Sequence, residues 1–324
     1  QGGGAVVMFG AICLAKALAG LRDRLRRCAP GEQTRVVLPA AGLAAAFLGM
    51  VWWMIAHLPR AGLLWSLLWV GLFVLLLTVI TVTLMRIVAE CGFFAYQSWT
   101  GPFHFARMLN LSGVIGSAVL VPLLTFYSIL FLDIKTFIAP AMINARRLED
   151  DASAARGRFR LALGLALAAS VAVSLAGSIL LAYRVGGQQM NPWFYSNATP
   201  RLMDQAHRFA SSRDAWEASH LAFAVGGAGW VALSLMLRRT LFWFPHPIGY
   251  LLLVNPLVRA YWFSFLLAWA VKRTVLKYGG RHTFDRLKPF FIGLIVGEIL
   301  AVAFWVTGTW AFSLTGVHID LNRQ

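Results

Sequence analysis

The sequence predicts an all-α protein, a polytopic transmembrane bundle of about 8 helices with one or two interrupted or re-entrant segments. Apolar blocks recur along the chain, and most are close to the roughly 20 residues that a helix needs to cross a bilayer. Of the 324 residues, 59% are hydrophobic and only 13% are charged. This composition excludes an ordinary soluble domain and favours a single membrane domain over residues 1–324.

The first half of the chain alternates apolar blocks with basic segments. Residues 1–35 hold a first helix, apolar at 5–21, and a basic cytoplasmic loop. Residues 135–160 are too charged to cross and are helical in pattern beyond Pro140, so we expect a helix along the cytoplasmic face. A first helical group at 36–134 lies between them, with predicted spans at 36–58, 63–86 and 111–132.

The second helical group, residues 161–324, contains predicted spans at 161–183, 220–237, 250–271 and 289–314. Residues 184–219 balance acidic and basic side chains, so we expect this loop outside. The loop before the last span has a strong excess of positive charge, which predicts a cytoplasmic anchor on anionic lipid headgroups. Its basic residues, set against Asp285 alone, are Lys272, Arg273, Lys277, Arg281, Arg286 and Lys288.

The net charge of +16 comes from basic residues beside apolar blocks, which favours membrane lipids over nucleic acid as the partner. Cys13, Cys28 and Cys91 lie far apart, so neither a disulfide framework nor a zinc cluster is predicted. The sequence contains no HExxH, GxSxG or GxxxxGK motif. We therefore expect no enzyme, no cofactor and no metal site.

The number of predicted spans conflicts with the placement of the basic segments. Between the basic residues at 22–35 and those at 146–160 there are three apolar blocks, although two cytoplasmic ends require an even number. Between Arg238 and Lys272 there is one block. An interrupted segment within 89–110 and another within 244–259 would resolve both conflicts, and such segments typically line transporter sites. Alternatively, one basic loop lies outside.

Glu298 is an acidic residue within the last predicted span. Gly293 and Gly297 precede it with the small-xxx-small spacing that allows close helix packing. An acid at this depth costs about 2.5–3.5 kcal/mol on insertion scales unless it is paired, protonated or beside water. Glu298 is therefore either a proton carrier, with Arg259 or Lys16 as candidate counter-ions, or a shielded structural acid.

Three further side chains are candidates for transport or proton coupling. Arg86 and Glu90 are four residues apart, so they share a helix face and form either an interfacial salt bridge or part of a functional site. His246 lies between Pro245 and Pro247 in a stiff turn. Its ring either binds a proton or ligand there, or only caps the turn.

Several sequence stretches are similar to a known group of transporters. The stretches are AECG (89–92), IAPAMINARRLED (138–150), WFPHPIGY (243–250), YGG (278–280) and RLKPFFIGLIVGE (286–298). They resemble the C-terminal part of bacterial membrane proteins related to the oligopeptide transporter (OPT) family, many of unknown function. The resemblance implies secondary transport of peptides or metal chelates. It also implies that other membrane chains or a missing N-terminal half complete the carrier.

Two functions are therefore expected. The first is a proton-coupled secondary transporter, or its C-terminal half, with a cavity lined by the interrupted segments, Glu298, Glu90 and His246. The second is a non-catalytic accessory or scaffold subunit of a larger membrane complex, packed through its glycine and aromatic surfaces. The high content of Ala, Gly and Arg favours the bacterial inner membrane.

Overall fold

The computed structural model describes residues 1–27, 30–57, 63–92, 96, 105, 138–151, 156–186, 218–253 and 255–314, with isolated positions between 197 and 211. These residues contain no β-strand, which confirms the all-α prediction.

The chain divides into two compact units, Gln1–Asn255 and Pro256–Gln324. The described helices of the first unit are α1 (Gly2–Arg27), α2 (Pro30–His57), α3 (Leu63–Cys91), α4 (Ile138–Asp151), α5 (Arg156–Val185), α6 (Ala218–Leu237) and α7 (Pro247–Leu253). The second unit contains α8 (Pro256–Thr274), a π-helix (Val275–Gly279) and α9 (Gly280–Leu314).

Five helical stretches among the described residues are long and apolar enough to cross a membrane. Four of them belong to α1, α3, α5 and α6. The fifth, Val258–Thr309, has 52 residues. A helix of that length spans about 78 Å, so the stretch is long enough for the two crossings that the sequence predicts there. The predicted span 111–132 lies outside the described residues, as does most of the predicted outer loop 184–219.

Helix α3 is the central helix of the first unit. Half of the residues in its apolar 18-residue stretch are buried. The corresponding share is 22% for α1 and for α6, and in α5 no residue of this stretch is buried. Helix α1 packs against both α3 and α6. The fully buried side chains of α3 include Val70, Ile80, Leu84 and Val88.

Small residues allow α1 to lie very close to its neighbours. A Cβ added to Gly4 would overlap the backbone of Ala224 on α6. A Cβ on Gly10 would overlap Thr83 and Val79 of α3. The Thr83 hydroxyl, buried at this crossing, lies within hydrogen-bond distance of the Val79 oxygen (2.9 Å) and of the Val6 oxygen on α1 (3.1 Å). These contacts are the close small-residue packing that membrane helices use.

The predicted interruption within 244–259 is present as a break in the helix, which divides the predicted span 250–271 between α7 and α8. Helix α6 ends at Leu237, a series of turns follows, and α7 has only seven residues. The backbone then leaves the helix at Asn255, and Pro256 begins α8. Proline lacks the N–H that would continue a helix across this point, which explains the break.

The basic stretch from Lys272 to Lys288 is helical, so the prediction of a loop is wrong. It passes from α8 through the π-helix into α9, which begins at Gly280 and not at the predicted residue 289. Gly280 has a φ of 68°, which interrupts the regular helix and favours glycine. The Phe284 ring lies 5.8 Å from the Lys272 ammonium and 5.4 Å from that of Lys288, so both ammonium groups make cation–π contacts with one ring.

Candidate functional site

The predicted pair of Arg86 and Glu90 forms on α3. The helix continues to Cys91, so the spacing of four residues places both side chains on one face, where they make an ion pair. The Glu90 side chain is 29% exposed and that of Arg86 is 56% exposed. The carboxylate is therefore the more sheltered partner, and one of its oxygens remains available to a second group.

His246 is that second group. Its Nε2 lies 3.5 Å from Glu90 Oε2, which joins the end of α3 to the start of α7. The other ring nitrogen, Nδ1, accepts a hydrogen bond from the Ile248 N–H at 3.2 Å. The His246 carbonyl accepts one from the Gly249 N–H at 2.9 Å. His246 is thus the N-cap of α7, and Pro247 occupies the first helical position that proline favours.

Of the two predicted alternatives for His246, the cap is present, and the other ring nitrogen faces the Glu90 carboxylate; binding of a proton or ligand by the ring stays a prediction. Because Nδ1 accepts a hydrogen bond, the ring proton of the neutral form is assigned to Nε2, facing Glu90. The pKa of His246 is lowered, chiefly because partial burial disfavours the charged ring. Glu90 raises this pKa, whereas Arg238 and Arg86 lower it. The ring is therefore predominantly neutral near pH 7.

Tyr96 and Asn255, which are not among the residues predicted from the sequence, hold the far end of α7. The Tyr96 hydroxyl donates to the Leu251 carbonyl at 3.3 Å and also hydrogen-bonds the Asn255 side chain. Tyr96 is 9% exposed and Asn255 3%. The dipeptide Asn255-Pro256 is a turn signal that identifies the break, but nothing in the sequence pairs it with Tyr96.

The candidate site is therefore built on the short helix α7. Glu90 contacts the cap at its N-terminal end, and Tyr96 binds its last turn and the break that follows. Tyr96 belongs to the predicted interrupted segment 89–110, most of which lies outside the described residues. Cys13 on α1 lies within electrostatic range of both Arg86 and Glu90. The site thus combines a carboxylate, an imidazole and a guanidinium beside an interrupted helix.

The candidates of the second unit are not brought together. Glu298 on α9 is exposed, and no described basic side chain of that unit, Arg259 on α8 included, forms an ion pair with it. A Cβ on Gly293 or Gly297 would meet no atom within 4 Å. The predicted helix packing at these glycines and the role of Glu298 stay predictions.

The described part of the chain contains no group of three or more His, Cys, Asp or Glu side chains that could hold a metal ion. Residues 1–319 fit the model of a family of unknown function, DUF6785.

The chain belongs to the DUF6785 family. Every residue of the candidate site lies within the matched part of this DUF6785 chain, as do Arg259 and Glu298. No curated protein matches the chain, and no solved structure does. The similarity to the OPT family therefore stays a prediction.

Proposed function

We propose that this membrane protein is a secondary transporter of the bacterial inner membrane that couples solute movement to proton movement. The supporting observation is the contact between Glu90 and His246, two titratable side chains at the start of a seven-residue helix that ends in a break. Interrupted helices with ionisable groups beside them are typical of transporter sites. The resemblance to the OPT family supports peptides or metal chelates as the substrate class.

Protonation of the pair changes what holds α7 in place. A proton on Glu90 removes the negative charge that faces the ring and Arg86. A proton on His246 converts Nδ1 from an acceptor into a donor, so the hydrogen bond from Ile248 is lost. Since a helix of seven residues is marginal without its end contacts, each proton shifts the stability of α7. This links proton occupancy to the conformation of the interrupted segment.

A scaffold role is the second candidate, and the exposure of apolar surface favours it. The apolar 18-residue stretches of α5 and of Val258–Thr309 contain no buried residue. Lipid covers such surfaces in a free carrier, whereas partner helices cover them in a complex. Purification under mild detergent from the native membrane distinguishes the two, because a scaffold copurifies with other membrane chains at a fixed ratio.

The transport proposal is tested in proteoliposomes loaded with a pH-sensitive dye. Peptide libraries of two to four residues, and in separate assays ferric and nickel chelates, are added outside under an inward proton gradient. We expect one of these pools to accelerate acidification of the lumen. The Glu90→Gln variant should reduce that acceleration about tenfold or more, the loss typical of a positioned proton-transfer group.

Asp285→Asn is the matched control, since Asp285 pairs with Lys288 at 2.6 Å on the basic stretch of the other unit. This variant should retain wild-type acidification. Glu298→Gln identifies whether the second predicted carboxylate also couples protons. An unchanged rate in Glu90→Gln, with an active wild type, would overturn the role of Glu90. No acidification by the wild type with any pool would overturn the transport proposal itself.

A further inference from the structure

A second cluster of charged side chains joins the surface helix α4 to the start of α5. Glu149 on α4 is buried, with 7% of its side chain exposed. Its carboxylate accepts a hydrogen bond from Arg146 Nη1 at 2.7 Å and another from Arg160 Nε at 2.5 Å. Arg146 also lies 3.9 Å from Asp150. One buried carboxylate thus holds two guanidinium groups from two different helices.

The cluster keeps Glu149 charged and leaves donors of both arginines free to bind. Burial alone would raise the pKa of Glu149, but the hydrogen bonds from Arg160 and Arg146 outweigh burial and lower it. Each guanidinium has five N–H donors, of which Glu149 uses one from each arginine. The side chains of Arg146 and Arg160 are 59% and 61% exposed.

A cavity of about 360 Å³ opens beside these two arginines. Besides the charged cluster, it is lined by Met142 of α4 and by Leu163, Gly164 and Leu167 of α5. Helix α5 is long and apolar enough to cross a membrane, and Arg160 lies in its first turns, before the apolar residues. The cavity therefore has the two guanidinium groups and the Glu149 carboxylate that holds them at one end, and an apolar wall along α5.

The geometry points to a binding site for one anionic phospholipid, with its phosphate on Arg146 and Arg160 and its proximal acyl chain along Leu163, Gly164 and Leu167. A soluble anion would use the cations and leave the apolar wall empty. A zwitterionic lipid would bring its own cation toward two arginines. Basic pockets beside transmembrane helices are a common way to bind acidic headgroups. This site is separate from the proposed transport function.

Native mass spectrometry of the full chain in detergent tests the site, with phosphatidylglycerol and phosphatidylcholine added in series. We expect one retained phosphatidylglycerol per chain and at least tenfold weaker retention of phosphatidylcholine. Arg146→Gln and Arg160→Gln should each weaken phosphatidylglycerol binding about tenfold. Arg147→Gln and Arg158→Gln are the matched controls, because these exposed neighbours on the same two helices carry the same charge; they should stay within twofold of the wild type.

A variant of the apolar wall tests the site without replacing an arginine, because misfolding of an arginine variant would also reduce lipid binding. A Cβ at Gly164 would meet no atom within 4 Å, so Gly164→Leu fills the cavity without changing its charge and should also weaken lipid binding. Equal losses in the control arginine variants, or no loss in Gly164→Leu, would overturn the site. So would displacement of the lipid by inorganic phosphate alone, which would identify a soluble anion as the ligand.

Discussion

The ring of His246 accepts a hydrogen bond through Nδ1 and faces Glu90 through Nε2, so its protonation state controls both contacts. The positive ring gains attraction to Glu90 but loses the cap of α7 and meets the charges of Arg86 and Arg238. Burial adds to that penalty, which is why the pKa is lowered. The neutral ring is thus the form that stabilises α7.

Replacement of His246 by asparagine separates capping from titration. Asparagine is among the best N-cap residues and does not titrate, so His246→Asn should keep thermal stability close to the wild type. His246→Ala removes the cap acceptor and should lower the free energy of unfolding by about 0.5–2 kcal/mol. Both variants should lose proton coupling in the dye-loaded vesicles. Thermal unfolding in detergent provides the first comparison, and equal stability of the two variants would contradict the capping role.

Glu149 gives a prediction in acid. The pKa of Glu149 is lower in the folded state than in the unfolded chain. Its contribution to stability is therefore fully present above the unfolded pKa of about 4.3. It is lost as the pH falls through the folded pKa. Thermal unfolding of Glu149→Gln should therefore depend less on pH below about 4.3 than that of the wild type. Asp150→Asn is the control, since Asp150 lies farther from Arg146, and it should behave as the wild type does. If the thermal stability of Glu149→Gln and that of the wild type changed with pH in the same way, Glu149 would not contribute to stability through its ionisation.

At the scale of elements, the crossing of α1 and α3 depends on a glycine that has no room for a side chain. Gly10→Ala should lower the free energy of unfolding by about 1–3 kcal/mol, because the methyl group overlaps Thr83 and Val79. Gly20 lies on the same helix in open space, so Gly20→Ala should instead stabilise by about 0.5–1 kcal/mol through helix propensity. Unfolding of both variants in detergent tests the packing. A gain in stability for Gly10→Ala would refute it.

Helix α7 is the element whose existence the sequence predicted only in part. Pro245, Pro247 and Pro256 identify an interruption between 244 and 259, since each removes a helical N–H. The spacing of Arg86 and Glu90 likewise predicts their ion pair. The contact between Glu90 and His246 joins residues far apart in the chain and has no local signal. Tyr96 and Asn255 were missed for the same reason, and so was the contact of Glu149 with Arg160 on the next helix.

At the scale of the whole molecule, hydropathy predicted the class of fold because only helices satisfy the backbone across a bilayer in a chain of this composition. The helix ends were misplaced, and the sequence predicted a loop at Lys272–Lys288, where the basic residues are helical. Charge pattern is informative about the side of a membrane and not about local conformation. The orientation of the chain therefore still rests on the sequence prediction.

That orientation is tested by cysteine labelling in intact cells. After replacement of Cys13, Cys28 and Cys91 by alanine, Arg281→Cys should react with a membrane-impermeant maleimide only after the membrane is opened. Ser211→Cys, in the predicted outer loop, should react in intact cells and serves as the internal control. Labelling of position 281 from outside would reverse the orientation and remove the cytoplasmic assignment of the basic stretch.

Amide hydrogen exchange in α7 tests most directly whether proton binding at His246 loosens this helix. The exchange rates of residues 248–253, corrected for the intrinsic effect of pH, are measured between pH 8 and pH 5 in wild type and in His246→Asn. Since the folded-state pKa is lowered, protection should be complete above the ordinary value of about 6.5 and should be lost as the pH falls through the lower value. We expect this loss in the wild type and none in His246→Asn. Protection in the wild type that does not change across this range would contradict it.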